Sequence, residues 1–234
     1  MKTLLTVTGL LLCSTVFGQN CFCSEDTMLS QIISCDTVRF DNHAKLYWSF
    51  NCDSSWLTFE SPAHKNEIIF SLGGGFISLT GRLGLIYAAE YRHTFLMRNN
   101  VISGCCDPPE YFLYDKETGK ELESLGRILF YDDKRVAPVI VSITGSGYDT
   151  TASESYDSLT IYNIDKRRKY FIKLPNGGLN KVLEQTDRMF PELLFDEPLV
   201  KGDTLALTYL TDNPKNFKER KTETIKIDLK KYNR

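Results

Sequence analysis

The sequence lacks the short motifs that identify most enzymes and cofactor-binding proteins. It has only three histidines, His43, His64 and His93, and no Gly-x-Ser-x-Gly element or other local nucleophile signature accompanies them. The run Gly73-Gly74-Gly75 is not followed by the Lys-Ser/Thr pair of a phosphate-binding loop, so we interpret it as a turn or bulge between strands. No Asp-x-Asp-x-Asp-Gly loop for calcium is present, and Asp132-Asp133 is interpreted as a turn. We therefore expect no catalytic, cofactor-binding or metal-binding residues.

The chain also lacks a strong charge of either sign. It has 28 Lys and Arg against 30 Asp and Glu, which argues against nucleic acid or an anionic membrane as the main partner. The one local excess of basic residues runs from Pro214 to Arg234. We interpret it as a solvated loop and an edge strand that its lysines protect from pairing with another sheet.

Long hydrophobic runs are absent beyond the N-terminus. Lys2 precedes an apolar run from Leu4 to Cys13, and the small residues Val16 and Gly18 follow. This order is typical of a secretory signal peptide over residues 1–18, and the run is too short to span a bilayer, which takes about 20 residues. We expect the mature chain to begin at Gln19, to be exported to the periplasm or the extracellular space, and not to insert into a membrane.

Removal of residues 1–18 takes Lys2 away and leaves 216 residues with 27 basic and 30 acidic side chains, a formal charge of −3. A chain of this size forms one good core or at most two small ones. We therefore expect a disulfide-tethered N-terminal segment over residues 19–36 and one all-β domain over residues 37–234.

Six cysteines remain once Cys13 leaves with the signal peptide, and an even number in an exported chain indicates disulfides. They are Cys21, Cys23, Cys35, Cys52, Cys105 and Cys106. Six cysteines allow about fifteen connectivities. Because neighbouring cysteines rarely bridge each other without strain, we expect Cys35 to pair with Cys52, and Cys21 and Cys23 to pair with Cys105 and Cys106. A four-thiolate metal site built from the latter four is the alternative.

Short runs of β-branched and aromatic residues, separated by Gly, Pro, Asn and Asp, predict a largely β chain. Apolar residues fall at every second position in the best of them, as at Tyr170, Ile172 and Leu174. Eleven strands are predicted, at residues 45–51, 55–60, 67–72, 85–91, 111–115, 127–131, 138–144, 158–164, 169–174, 204–211 and 223–229. Two short helices are expected, at about 26–33 and from about 177 to 189, where Pro191 ends the second.

A hairpin-like unit recurs along the chain. It is present at residues 56–70, 111–122 and 159–172, with Asp115 and Asp165 fifty residues apart and Asp228 following later. This spacing, and the Asp-Lys-Glu-Thr-Gly-Lys turn at 115–120, resembles the outer hairpins of β-propeller blades. The resemblance covers most of the mature chain and implies a small propeller-like array of about four blades. A β-sandwich or a twisted open sheet built from the same hairpins is the alternative.

These observations leave two hypotheses for function. The first is an exported, non-catalytic binding or structural module that presents loops, such as those at 103–110 and 144–157, to a protein or glycan partner. The second is a hydrolase that uses paired carboxylates. Its candidates are the acids of the most aromatic region, namely Glu60, Glu67, Glu90, Asp107 and Glu110, beside Tyr47, Trp48, Trp56, Tyr87 and Tyr91. Acids that converge in an apolar pocket would favour the hydrolase, and scattered acids would favour binding.

Overall fold

The computed structural model describes residues 21–100, 108–132, 137–144, 156–185, 190–212 and 221–233. Strands predominate in the described residues, where they form four antiparallel sheets with a few short helices, which confirms the all-β expectation. The predicted signal peptide, Cys105, Cys106 and most of the two loops at 103–110 and 144–157 lie outside the described residues.

The first two sheets are four-stranded meanders, in which each strand pairs with the next along the chain. The first sheet contains β1 (Thr37–Arg39), β2 (Lys45–Phe50), β3 (Ser54–Glu60) and β4 (Asn66–Gly73). The second contains β5 (Gly84–Glu90), β6 (Thr94–Asn100), β7 (Glu110–Asp115) and β8 (Glu121–Arg127). A 3₁₀ helix over Gly74–Leu79 connects the two sheets, so the glycine run ends a strand and begins this helix.

The third sheet repeats the meander and the fourth is one strand shorter. The third contains β9 (Phe130–Tyr131), β10 (Val139–Ile143), β11 (Ser158–Asn163) and β12 (Arg168–Lys173). The fourth contains β13 (Leu199–Lys201), β14 (Thr204–Leu210) and β15 (Thr222–Asp228). After β15 the chain forms a helical turn, α3 (Lys230–Asn233).

Both predicted helices exist in shortened form. The first, α1 (Leu29–Ile32), follows a turn in which the Asp26 carboxylate accepts a hydrogen bond from the Met28 N–H at 2.9 Å. The second, α2 (Asn180–Glu184), lies between the third and fourth sheets along the chain. Residues 186–189, which the prediction also assigned to this helix, lie outside the described residues.

Consecutive sheets pack face to face through three separate core clusters. The first and second sheets enclose an aromatic cluster that includes Phe59 and Phe95. The second and third sheets meet at residues such as Leu113 and Ile140. The third and fourth sheets bury the largest cluster, which includes Ile161 and Leu207 together with residues of α2 and α3. The second and third sheets are therefore covered on both faces.

The recurring hairpins predicted from the sequence are the third and fourth strands of the first three sheets, namely β3–β4, β7–β8 and β11–β12. The turn at 115–120 closes β7–β8. There Asp115 Oδ1 accepts hydrogen bonds from the backbone N–H groups of Glu117 and Thr118 at 3.0 and 2.8 Å. Gly119 has φ +72°, and a Cβ on it would lie 2.3 Å from the Phe59 ring, so this turn requires glycine.

The predicted cysteine pairing is wrong. Cys21 is bonded to Cys35 and Cys23 to Cys52. The N-terminal segment lies beside the end of β2, where Cys21 forms a parallel bridge with Phe50. Cys23 is bonded to Cys52 in the turn that follows β2. The small cluster beneath the bridges buries Leu29, Ile33 and Ile77. Since Cys21 and Cys23 are oxidised, they do not supply thiolates to the alternative metal site.

Candidate functional site

A groove between the second and third sheets is the strongest candidate for a functional site in the described part of the chain. It consists of two adjoining cavities of about 350 and 340 Å³. Both are lined by Glu123 of β8, Tyr162 of β11 and Lys169 of β12. These three side chains form the boundary between the two cavities.

One wall of the groove is the outermost strand of the second sheet. Two irregularities in the β7–β8 pairing leave Leu125 and Leu122 of β8 without a partner residue in β7. Each unpaired residue forms a β-bulge. A β-bulge bends the strand that contains it and changes the direction of that strand's side chains. The two leucines line the groove, one in each cavity. The bulges thus supply the apolar part of this wall.

The floor is the face of the third sheet that is turned toward the second. Cross-strand pairing aligns Ile140, Tyr162 and Lys169 in one row and Ser142, Thr160 and Phe171 in the next. The first row includes Ile140 and Tyr162, which are buried against the second sheet, while the second row extends outward and is less covered. Phe171 is 66% exposed at the rim. The floor therefore changes from apolar to hydroxyl-rich toward solvent.

Charged and polar side chains at the boundary contact one another. Lys169 Nζ lies 2.8 Å from Glu123 Oε1 and 5.7 Å from the centre of the Tyr162 ring. The Tyr162 hydroxyl donates a hydrogen bond to the Glu123 carboxylate. Burial, together with this hydrogen bond and the negative charge of Glu123, raises the pKa of Tyr162 to about 12, so the phenol is neutral at physiological pH. Arg167, in the β11–β12 turn, lines the end of the first cavity.

The acids proposed for hydrolysis do not form a catalytic pair in the described residues. Glu60 binds Lys45 at 2.7 Å and His64 at 2.9 Å, and the hydrogen bond from Lys45 is the main cause that lowers the pKa of its carboxyl group. A lowered pKa is the opposite of what a general acid needs. Glu67 is exposed on β4, Glu110 begins β7, and Asp107 lies outside the described residues.

Two carboxylates do converge at Lys116, which is 1% exposed. Its ammonium lies 2.7 Å from Glu90 Oε1 and also forms an ion pair with Asp41. The Asp41 backbone N–H donates to the same Glu90 oxygen at 3.0 Å, and Asn42 Nδ2 donates to the Lys116 carbonyl at 2.8 Å. This cluster connects the β1–β2 turn of the first sheet to the second sheet, which is a structural role.

The remaining candidates from the sequence are turn and core residues. His43 and His64 have φ of +70° and +57° in turns, and the His93 carbonyl accepts a hydrogen bond from the Lys116 N–H. Trp48 and Tyr87 pack on the aromatic cluster between the first two sheets, and Tyr91 is 3% exposed. Among the described residues no group of three or more His, Cys, Asp or Glu side chains is arranged to hold a metal ion.

Sequence reasoning did not find the groove. One signal was present, because Tyr170, Phe171 and Ile172 are consecutive apolar residues in a strand that otherwise alternates. Tyr170 and Ile172 pack on the core between the third and fourth sheets, so Phe171 has to lie on the opposite face. The sequence could therefore have identified Phe171 as an exposed aromatic residue, although one such residue does not by itself mark a binding site.

No family model matches this chain, and no curated protein matches it either. Among the described residues, no helix is both long and apolar enough to cross a membrane. The two disulfides are compatible with a protein that is exported to an oxidising compartment.

Proposed function

We propose that the protein is an exported, non-catalytic binding module of the periplasm or the extracellular space, and that it holds a protein or glycan partner in the groove between its second and third sheets. The observation that carries this proposal is the combination of an exposed aromatic ring, Phe171, with two cavities that share the Glu123–Tyr162–Lys169 cluster. Binding sites typically combine an apolar surface with a few polar groups that fix the orientation of the ligand.

The groove is suited to recognition rather than to covalent chemistry. Its one acidic side chain among the lining residues, Glu123, is paired with Lys169. Glycoside hydrolysis needs two carboxyl groups about 5 to 10 Å apart, one of them with a raised pKa. The lining residues supply hydroxyl groups, one ion pair and apolar contacts instead, which serve to bind and orient a partner.

Rigid surroundings support the same role. The third sheet is packed on both faces, against the second sheet and against the fourth. We expect the N-terminal segment over residues 19–36 to be tethered by disulfides. The bridge Cys23–Cys52 attaches it to the turn between β2 and β3 of the first sheet, and Cys21–Cys35 closes a loop within the segment. A preorganised scaffold reduces the entropy that is lost when a partner binds.

A substitution that fills the groove and leaves the core unchanged tests this proposal. Ser142 lies at the centre of the floor and is half-buried, and tyrosine is favoured in strands, so Ser142→Tyr should block the groove while the sheet is kept. The mature, oxidised protein and this variant are screened by microarray against neutral and acidic oligosaccharides and against peptides. We expect Ser142→Tyr to lose every specific interaction of the wild type, with an unfolding midpoint that is nearly unchanged.

A matched control is Thr224→Tyr, which places the same side chain on an exposed position of β15 in the fourth sheet. This variant should bind as the wild type does. Equal binding by Ser142→Tyr and the wild type would show that the groove is not the binding site. Turnover of any probe that is abolished by Glu123→Gln would favour the hydrolase instead.

A further inference from the structure

A line of basic residues borders the groove, with one exposed aromatic ring between them. Side chains alternate between the two faces of a strand, so Lys169, Phe171 and Lys173 of β12 share the groove face, while Arg168, Tyr170 and Ile172 face the other way. Arg167 continues the line in the preceding turn. We call Arg167, Lys169, Phe171 and Lys173 the basic stripe.

All four members of the basic stripe are exposed. Residues two apart in a strand are separated by roughly 6.6 Å, so the stripe extends over about 20 Å. That length fits several units of an extended chain rather than one small molecule. A ligand that follows the stripe would contact charged groups at both ends and an aromatic ring between them.

The charge balance of the groove favours an anionic ligand. Among the lining residues, Arg167 and Lys169 carry two positive charges and Glu123 carries the one negative charge. Lys173 of the basic stripe lies beyond the lining residues and adds a third positive charge. The next acid of β8, Glu121, pairs with Tyr114 in the sheet register and therefore faces the first sheet. Clustered cations raise the local concentration of anions and increase their rate of association.

The neutral part of the groove favours a sugar chain over a peptide. Phe171 presents its ring to solvent, and the apolar C–H face of a pyranose can stack on such a ring. Beside it lie Ser142, Thr144 and Thr160, with the hydroxyls of Thr144 and Thr160 2.8 Å apart. The two bulges in β8 interrupt the regular backbone spacing that an added peptide strand would need on this side.

We propose that the basic stripe and the adjoining groove bind an acidic glycan, a chain of pyranose units that carry carboxylate or sulfate groups. This inference rests on the proposed function and specifies its ligand. Arg167 and Lys173 pair with anionic groups near the two ends of the stripe, while Lys169 stays paired with Glu123 between them. Phe171 stacks on a sugar ring, and the hydroxyls of the floor bind the sugar hydroxyls. Binding is non-covalent and leaves the glycan unchanged.

The test measures the affinity of the mature, oxidised protein for four probes of similar length by isothermal titration calorimetry. Alginate supplies carboxylates, chondroitin sulfate supplies carboxylates and sulfates, dextran is a neutral glycan and poly-glutamate is an acidic peptide. We expect the two acidic glycans to bind. Their affinity should fall at least about tenfold between about 0.05 and 0.5 M NaCl, because salt screens exposed charges.

Single substitutions assign the interaction to the stripe. Lys173→Gln and Phe171→Ala should each weaken binding of the acidic glycans about tenfold, since one charged hydrogen bond or one stacked ring is worth roughly that factor. Lys226→Gln removes the same charge from an exposed position of β15 in the fourth sheet, so it is the matched control and should change affinity less than about twofold. Unfolding midpoints are measured for each variant.

The possible outcomes separate this inference from the proposed function. If dextran binds as tightly as alginate, and Ser142→Tyr abolishes both, the groove is a glycan site but the acidic ligand is wrong. Binding of poly-glutamate alone would identify an acidic peptide as the ligand and would overturn the glycan. Equal losses in Lys173→Gln and Lys226→Gln would show attraction by net charge without a site. If no probe binds and the microarray shows no partner that depends on the groove, both proposals fail.

Discussion

The interface between the first and second sheets differs from the interface between the second and third. The first is filled with aromatic rings, in which Phe95 stacks on Phe59 at 5.6 Å and on Tyr114 at 5.3 Å, and it is closed at one end by the buried Lys116 cluster. The second has a smaller core and opens into the groove. The same arrangement of neighbouring sheets therefore gives a filled core at one interface and an open groove, the proposed binding site, at the next.

The difference arises from the outermost strand at each interface. In the first sheet, Ile69 and Phe70 of β4 pack on the aromatic cluster, and a Cβ on Gly84 would lie 2.1 Å from the Phe70 ring. In the second sheet, β8 contains two bulges, and its leucines line a cavity instead of closing it. β4 is also bulged, at Ile69, but this extra residue packs on the aromatic cluster, whereas the extra residues of β8 line cavities and leave room for a ligand.

The largest effect on stability should come from the aromatic interface. Phe95 is fully buried, so Phe95→Ala should lower the free energy of unfolding by about 3 to 5 kcal/mol. Phe171 is 66% exposed, and Phe171→Ala should change it by less than about 0.5 kcal/mol. Urea unfolding followed by fluorescence measures both. Similar losses in the two variants would show that the groove is as tightly packed as the first interface.

The Lys116 cluster should contribute nearly as much to stability as Phe95 does. Lys116→Ala leaves the Glu90 carboxylate buried without its ammonium and should cost about 3 to 5 kcal/mol. The matched control is Lys45→Ala, which removes a partly exposed lysine from its pair with Glu60 and should cost less than about 1 kcal/mol. A loss below 1 kcal/mol for Lys116→Ala would mean that this cluster does not hold the first two sheets together.

The two disulfides should make the next largest contribution to the free energy of unfolding. The bridges join cysteines 14 and 29 residues apart, and loops of this length predict about 3 kcal/mol of stabilisation for each bridge. Replacing both cysteines of one bridge by serine measures the contribution of that bridge. The variant with Cys23→Ser and Cys52→Ser should be more destabilised than the variant with Cys21→Ser and Cys35→Ser, because Cys23 is 1% exposed. A peptide map under non-reducing conditions checks the pairing. An unchanged melting temperature in strong reductant would contradict the expected stabilisation.

The smallest expected effect is a shift in the titration of Tyr162. Its folded pKa of about 12 is above the ordinary value of 10, so the neutral phenol favours folding. This stabilisation is complete below pH 10 and is lost as the pH rises toward 12. Glu123→Gln should lower the pKa of Tyr162 but not restore it to 10, since burial is the larger cause. NMR of ¹³C-labelled tyrosine measures it. An unchanged pKa in the variant would show that Tyr162 and Glu123 do not interact.

Much of the fold could be predicted because apolar residues fall at every second position in several strands, as expected for strands with alternating faces. The hairpins β3–β4 and β11–β12 show this alternation in the sequence. In contrast, Phe95, Leu96 and Met97 are all fully buried, so β6 has no alternation and was missed. The bulges interrupt the pattern of β8, and β1 and β13 are only three residues long.

The candidate site could not be predicted, for a related reason. Glu123 and Lys169 are 46 positions apart in the sequence, and they meet because the second sheet packs on the third. No local pattern encodes that contact. The prediction of the cysteine pairing was wrong for the same reason, because the pairing depends on the position of the N-terminal segment beside β2.

The most direct test of the central claim is NMR of the ¹⁵N-labelled mature protein during titration with an alginate oligosaccharide. If the groove is the binding site, the amide signals that shift belong to β8, to the floor strands β10 and β11, and to the basic stripe. Signals of the first and fourth sheets stay in place. Shifts concentrated in either of those two sheets, with the groove signals unchanged, would contradict the account.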